Sequence, residues 1–269
     1  MMHIVVCVKA VPGSTEVRMD PVTHTIIRDG GAAVVNPFDA TALEVALRIK
    51  DARANMGRPT RVSTLSMGIP ATESLLRDCI ARGADDALLL SDRAFAGADT
   101  LATSYALSCG MHALCDGTAP DLVLCGKMAV DGDTAQIGPE LAGLLDMACA
   151  TDVRSVEVPS PGGVVVRRAT DQGIERVELP LPAVLTIAKD AVQPRMPSIA
   201  GVFAARDAEV RVLGAHGVGA DSARIGLAGS PTQVVRSFVP EREAAGEDVL
   251  GDVAAQAARV RELMGGACA

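Results

Sequence analysis

The feature that most constrains this chain is a series of unbroken apolar runs of strand length, separated by stretches with helical spacing. "HIVVCVK", "TRVSTLSMG", "ALLLSD" and "DLVLCGK" lack a strict apolar–polar alternation. Strands of that kind suit a parallel sheet covered on both faces. The intervening segments supply the covering helices. In "NPFDATALEVALRIKDARANMG", Leu43, Ala46, Leu47 and Ala54 repeat at helical spacing, with Asn36 and Pro37 placed to open the helix and Gly57 to stop it. In "PATESLLRDCIARGA", Leu75, Leu76, Cys79 and Ile80 share one face and Gly83 ends it. A third helix is predicted from Asp99 to Cys115, and a fourth from near Thr134. This alternation predicts a doubly wound α/β fold.

The pattern changes after residue 150. "TDVRSVEV", "GGVVVRRAT" and "GIERVELPL" interleave polar positions and read as an antiparallel extension, joined by a Pro-Gly-Gly turn at 161 to 163. "PAVLTIA" returns to a core strand, and "QPRMPSIAGVF" reads as a loop bounded by prolines. The chain then turns Gly-, Ala- and Ser-rich and ends in a helix predicted from Glu247 to Met264. The expected organisation is an α/β domain over 1–205 and a C-terminal arm over 206–269, too short for a core of its own.

A formal net charge of −8 works against a general role on nucleic acid or on anionic membrane, since both need a basic face. No stretch approaches the ~20 apolar residues of a membrane span. "MMHIVVCVKAVPG" reads as a first strand and not as a signal peptide, so a cytoplasmic location is expected. The seven cysteines, Cys7, Cys79, Cys109, Cys115, Cys125, Cys149 and Cys268, are scattered without a CxxC or a Cys/His cluster. All but Cys268 are expected to be small buried hydrophobes. Aromatic residues make up 2% of the chain, so a site built on aromatic stacking is nearly excluded. Tyr105 is expected to serve packing, and none of His3, His24, His112 and His216 is given a catalytic role.

In open parallel sheets, ligands sit beyond the carboxyl ends of the strands, where loops meet helix N-termini. "CVKAVP", "SMG", "SDRAFAGADT" and "GKMAVDGDTAQIGP" converge on that edge. They bring Gly68, Gly97, Gly126 and Gly132, which let main chain approach a ligand, and the hydroxyls of Ser66, Thr100 and Thr134. That is a nucleotide cradle, although neither GxGxxG nor GxxxxGK[ST] is present. Asp133 is placed to cap the fourth helix, and Asp131 to accept from ribose hydroxyls or to fix the loop. Asp131 and Asp133 as a Mg²⁺ pair would need a further ligand, and as a general acid and base they would need burial that the sequence does not show. Lys9 and Lys127 are each open to two readings, a phosphate contact or a solvated strand end.

These stretches resemble a known family, the beta subunit of electron transfer flavoprotein, which includes the FixA-type proteins. "VVCVKAVPGSTEVRMDPVTHTIIRDG" with "NPFDATALEVALRIKD" is similar to its N-terminal signature, "SMGIPATESLLRDCIARGADDALLLSD" to its central unit, and "DLVLCGKMAVDGDTAQIGPELA" to its nucleotide loop. The resemblance implies a three-layer α/β/α fold of the adenine nucleotide alpha hydrolase-like type, with the arm packed on an alpha subunit that carries one FAD. It divides over whether this chain binds a structural AMP or a second, redox-active FAD. "DRAFAGADTLATSYAL", "DGDTAQIGP" and "IGLAGSPTQVVRSF" resemble the electron-bifurcating, FAD-binding members.

Carried over by resemblance, the nucleotide contacts fall on Cys7, Val8, Lys9, Asn36 and Asp39, and on Ser66, Met67 and Gly68. Asp99, Thr100 and Thr103 follow, and then the loop of Gly126, Lys127, Met128, Asp131, Gly132, Asp133, Thr134, Ala135, Gln136 and Ile137. Partner recognition falls on Arg195, Met196 and Ile199. Two departures bear on this: Met128 stands where Gln is usual, and Met196, Pro197 and Ser198 replace a run that usually contains an aromatic. The implied activity passes electrons from NADH to ferredoxin or flavodoxin and, through the alpha subunit, to or from an acyl-CoA dehydrogenase, with no catalytic side chain and no metal. Two other functions stay open, an electron carrier with structural AMP and an ATP-using enzyme with Mg²⁺ in the Asp-Gly-Asp loop.

Overall fold

The computed structural model describes residues 1–13, 33–158, 160, 162–235, 246 and 248–266. Residues 14–32 of the N-terminal signature, Pro161 of the expected turn, residues 236–238, Glu247 and Cys268 lie outside them, as does His24. The chain forms two units, Met1–Val235 and Arg236–Ala269.

In the first unit, the order is β1 (Met2–Cys7), β2 (Ala10–Pro12), β3 (Ala33–Val35), α1 (Pro37–Asn55), β4 (Thr60–Met67), α2 (Glu73–Arg82), β5 (Asp86–Leu90), α3 (Thr100–Leu114) and β6 (Leu122–Gly126). It continues with α4 (Ile137–Leu145), β7 (Ala148–Val156), β8 (Gly163–Thr170), β9 (Gly173–Pro180), β10 (Ala183–Ile187), α5 (Ile199–Asp207) and β11 (Val210–Leu213). The second unit contains α6 (Val253–Gly266), where Asp252 Oδ1 accepts from Ala255 N at 2.8 Å. Among the described residues no helix is long and apolar enough to cross a membrane.

The nine-stranded sheet has the order β11-β5-β4-β1-β6-β10-β7-β8-β9. Pairing is parallel from β11 through β7, and β8 and β9 extend it antiparallel. The unbroken apolar runs follow from burial on both faces. Along β1, Ile4 and Val6 pack in the core with Leu43 and Leu47 of α1, while Val5 and Cys7 pack with Leu107 of α3 and Leu141 of α4. Leu76 of α2 joins Leu89 and Val210, whereas Leu88 and Leu90 face α3. The result is three layers: α1 and α2 on one face, the sheet, and α3 and α4 on the other.

Several local expectations need correction. The fourth helix begins at Ile137, three residues after Thr134, and Asp133 does not cap it. Gly132 N and Asp133 N both donate to Ala129 O, and Asp133 and Ala135 have φ of 52° and 54°, so the chain turns before it can become helical. The "QPRMPSIAGVF" stretch is partly helix, because Ser198 accepts from Gly201 N at 2.9 Å and caps α5. "VRVL" forms β11, which pairs with β5 at the edge of the sheet. Cys149 is exposed; Cys7, Cys79, Cys115 and Cys125 are buried. Tyr105 does more than pack: its ring lies 3.8 Å from the Arg224 guanidinium carbon, and its hydroxyl accepts from Asp221 N at 3.0 Å.

The strand order departs from β1 in both directions, through β4 on one side and β6 on the other, so the crevice of a doubly wound sheet opens between the ends of β1 and β6. One carboxylate closes its floor. Asp39, buried in the first turn of α1, accepts from Lys9 N at 2.8 Å with Oδ2 and from Gly126 N at 3.0 Å with Oδ1. It thereby joins the ends of both strands to α1. Residue 126 must be glycine for this contact, since a Cβ there would lie 2.4 Å from Asp39 Oδ1 and 2.5 Å from Phe38 Cβ.

Burial pushes the Asp39 carboxyl from its ordinary 3.8 up to about 7, against the hydrogen bonds from Lys9, Asn36 and Gly126 that pull it down. The folded protein then holds a proton that the unfolded chain releases, so the contribution of this group is complete below its unfolded value and is lost as pH rises through about 7. We expect Asp39→Asn to destabilise the fold by ~1–3 kcal/mol, because an amide NH₂ would face a main-chain N–H. Urea denaturation of both proteins from pH 4 to 7.5 should show the wild-type advantage narrowing as pH rises. A constant gap would disprove the raised titration.

Candidate functional site

The rim above Asp39 is built by three segments. Asn36, buried at the start of α1, does not cap its helix with its side chain. It reaches across instead: Nδ2 donates to Met128 O at 2.9 Å and Oδ1 accepts from Val130 N at 3.3 Å. Its own main-chain N donates to Lys9 O at 2.9 Å. Lys9 Nζ donates to Asp131 Oδ1 at 2.7 Å, so the loop after β6 is held to β1 by an ion pair and to α1 by an amide. Lys9, Asn36, Asp39, Gly126, Met128 and Asp131 are thus one connected constellation.

Beyond it, the loop presents main chain. Ala135 has a left-handed φ of 54°, uncommon for a residue with a Cβ, and Gln136 follows in the right-handed helical region. That alternation turns successive N–H groups toward one side, a concavity that suits an anion. α4 then starts without a side-chain cap, which leaves the positive end of its peptide dipoles at the same place. Gly132 is open, with nothing within 4 Å of the position of a Cβ. Asp133 and Thr134 are exposed, and Ile137 is half-buried.

The flank on the α3 side is polar and connected. Thr100 Oγ1 lies 3.1 Å from Gln136 Oε1 and donates to Glu140 Oε1 at 3.0 Å, and Ser104 donates to Glu140 Oε2 at 2.8 Å. Asp99 caps α3 through Ala102 N, while its other oxygen accepts from Thr232 N and Oγ1. Burial alone would raise the Asp99 carboxyl, but these donors hold it below the usual range. The 91–100 and 225–232 stretches are therefore packed on each other. Thr103 donates its main-chain N to Asp99 O. On the opposite flank, Lys127 Nζ pairs with Asp152 Oδ2 at 2.7 Å.

Other residues lie deeper or elsewhere. Ser66 is fully buried and its hydroxyl has no hydrogen-bond partner, so it is not open to the rim. Gly68 N donates to Leu90 O, Val8 N donates to Leu65 O, and Met67 is half-buried between them. A hydrogen bond with Cys7 together with burial pushes the Cys125 thiol well up, so Cys125 is a protonated wall group and no nucleophile. Arg195 is committed to the fold. It pairs with Glu44 at 2.8 Å and with Asp51 at 2.8 Å, and its carbonyl accepts from Arg82. Met196, just before α5, and Ile199, at its start, are 82% and 80% exposed, and Val202 and Phe203 farther along the helix are exposed as well.

Among the described residues no group of three or more His, Cys, Asp or Glu could hold a metal ion. The arrangement can bind and orient an anionic ligand through main-chain N–H groups. Glu140 and Asp152 were not reached from sequence. Glu140 follows Gln136 at helical spacing, a signal that was available, whereas Asp152 comes from a strand irregularity that no local pattern announces.

The chain matches the electron transfer flavoprotein domain family over residues 23–216. It is 44% identical over 253 residues, 94% of each chain, to an electron transfer flavoprotein subunit beta of Thermoanaerobacterium thermosaccharolyticum. It is 43% identical over 250 residues to the caffeyl-CoA reductase-Etf complex subunit CarD of Acetobacterium woodii, covering 93% of this chain and 92% of that one. It is 42% identical over 243 residues to protein FixA of Azotobacter vinelandii, covering 89% and 85% respectively. With its parallel sheet and its crevice between β1 and β6, the chain belongs to the electron transfer flavoprotein family, among the beta subunits.

Proposed function

We propose that the rim binds FAD, and that the chain works in the cytoplasm as the beta subunit of a heterodimer whose alpha subunit carries a second FAD. The observation that carries this reading is the uncapped start of α4 behind left-handed Ala135, a preformed seat for the pyrophosphate of a dinucleotide. The donor set fits such a group: Ala135, Gln136 and Ile137 offer main-chain N–H, Lys9 and Lys127 offer positive charge, and open Gly132 leaves room for close approach. When bound, FAD supplies hydride acceptance and one-electron delivery, and the protein contributes position, electrostatics and exclusion of solvent.

The chain's own residues have defined tasks in this reading. Asp39 fixes the floor, Asn36 holds the loop, and Lys9 keeps Asp131 from repelling the ligand's phosphates. NADH is the proposed donor. Ferredoxin or flavodoxin would accept one electron of each pair, and an acyl-CoA dehydrogenase would be reached through the alpha subunit. Support comes from the likeness of the 92–107, 131–139 and 225–238 stretches to bifurcating members and from the relative named as part of a caffeyl-CoA reductase-Etf complex. Met196 and Ile199 are proposed to meet the partner, with Arg195 holding their segment in place. The C-terminal stretch is proposed to pack on the alpha subunit.

Flavin quantitation on the co-purified heterodimer tests the cofactor assignment. Two FAD per heterodimer, bleached on NADH addition, is the expected result, and one FAD with one AMP would assign an ordinary electron carrier. Ala135→Val should lower flavin retention about tenfold, since a β-branched residue resists the left-handed conformation. Ala135→Gly should retain it. Equal retention in both variants, measured by flavin fluorescence after gel filtration, would remove Ala135 from the seat.

A further inference from the structure

Asp152 owes its position to a β-bulge. In the β7–β10 ladder, Ala150 stands opposite Leu185 and Val153 opposite Ile187, so Thr151 and Asp152 together face the single residue Thr186. The Thr186 hydroxyl accepts from Asp152 N at 3.1 Å, and Asp152 takes a left-handed φ of 53°. Bulges of this kind re-aim a side chain beside a site. Here the carboxylate is aimed at Lys127, the first residue past β6, whose N donates to Ile187 O at 2.8 Å. Lys127, just past β6, thus stands near Thr186 on β10 and Asp152 on β7 at the carboxyl edge of the sheet, with the three strands side by side. Thr186 in turn packs beneath α4, where a Cβ on Gly138 would come within 2.2 Å of Thr186 Cγ2.

The second oxygen of the same carboxylate is unfinished. Asp152 Oδ1 is buried with no hydrogen-bond partner, and Arg154 Nε lies 3.9 Å away, outside hydrogen-bond range but within ion-pair range. A carboxylate pinned by one cation, with a second in waiting, can release the first without being left unpaired.

We propose that Asp152 is a specificity-determining residue of the rim: its carboxylate holds Lys127 and, when a nucleotide binds, yields Lys127 to the ligand's phosphate oxygens, Arg154 taking its place. Asp152 is thus an internal competitor for the cation at the start of the loop. Weak or singly charged anions do not displace it, and a nucleotide that also engages the main-chain seat does. This rests on the reading of the rim as a nucleotide site, without depending on which nucleotide.

The test uses the heterodimer, stripped at the beta site and titrated with FAD and, separately, with AMP, at low and at physiological ionic strength. Asp152→Asn should tighten both ligands about five- to tenfold, the effect of removing one nearby competing charge, and should steepen the loss of affinity with salt. Lys127→Met should weaken both, and in its background most of the gain from Asp152→Asn should vanish. Asp152→Gly, which suits the left-handed φ, repeats the measurement should the Asn protein fold poorly. Unchanged or weaker binding in a folded Asp152 variant, or a full gain without Lys127, would overturn the proposal. Uptake of AMP but not FAD by the wild type would refute the FAD reading alone, and the AMP arm would still decide the role of Asp152.

Discussion

The buried carboxylate of Asp39 is the contact on which the rest of the site depends. In a parallel sheet, the two strands that flank the change of direction diverge toward their connections, and nothing in the ladder itself holds their ends together. Here one side chain accepts a main-chain N–H from each of them while standing in the first turn of the helix that lies over both. The absence of a Cβ at Gly126 is the condition for that approach. The glycine that reads in sequence as an opening for a ligand is thus first of all an opening for α1. Once the floor is fixed, Asn36 at the same helix start can span the crevice to Met128 and Val130, and the loop acquires one shape.

An acidic protein faces an electrostatic problem in holding an anion, and in the proposed reading this rim meets it locally with paired charges. Both lysines at the edge carry a carboxylate partner at 2.7 Å, Lys9 with Asp131 and Lys127 with Asp152. Exposed pairs of this kind contribute little to stability, about 0–1 kcal/mol. Their value lies in orientation. They set where positive charge stands without creating a strong field that would collect any anion, and in the proposed reading they leave the binding itself to main-chain N–H groups, which cannot be neutralised by a neighbour. The two aspartates of the Asp-Gly-Asp stretch consequently have separate lives: Asp131 is a counter-ion to Lys9, and Asp133 is a turn residue facing solvent.

Most of the architecture was legible because it is written in burial patterns. The apolar runs of β1, β4, β5 and β6 and the spacing of Leu43, Ala46 and Leu47 each reflect a surface covered by a neighbour, and that demand acts residue by residue along the chain. What was not legible depends on long-range partners. Thr134 failed as a helix start because Ala129 O captures two N–H groups in the loop, a contact invisible to a cap pattern. "VRVL" became a strand because β5 offered an open edge, and the bulge at Asp152 arises from pairing with β10 and a hydroxyl 34 residues away in sequence. Of the site, the loop residues were anticipated by type, whereas the connections between them, Lys9 to Asp131 and Asn36 to Met128, emerged only with the fold.

The same distinction explains why the 91–100 and 225–232 stretches belong together. Asp99 caps α3 with one oxygen and holds Thr232 with the other, and its N–H donates to Ser230 Oγ. Gly97 accommodates Leu227, and Gly226 at φ 55° passes so close to Ala94 O that a side chain there would collide with it. A segment with its own glycines fitted to a helix N-terminus is a built contact, not a passing one. Its position follows from Thr100, the next residue after Asp99, which reaches Glu140 on α4. The 225–232 stretch, the Asp99 cap and the start of α4 are thereby three consecutive links of one polar chain. Rigidity at the rim is supplied from outside the sheet as well as from its floor, which allows α4 to begin with bare N–H groups and still keep a fixed direction.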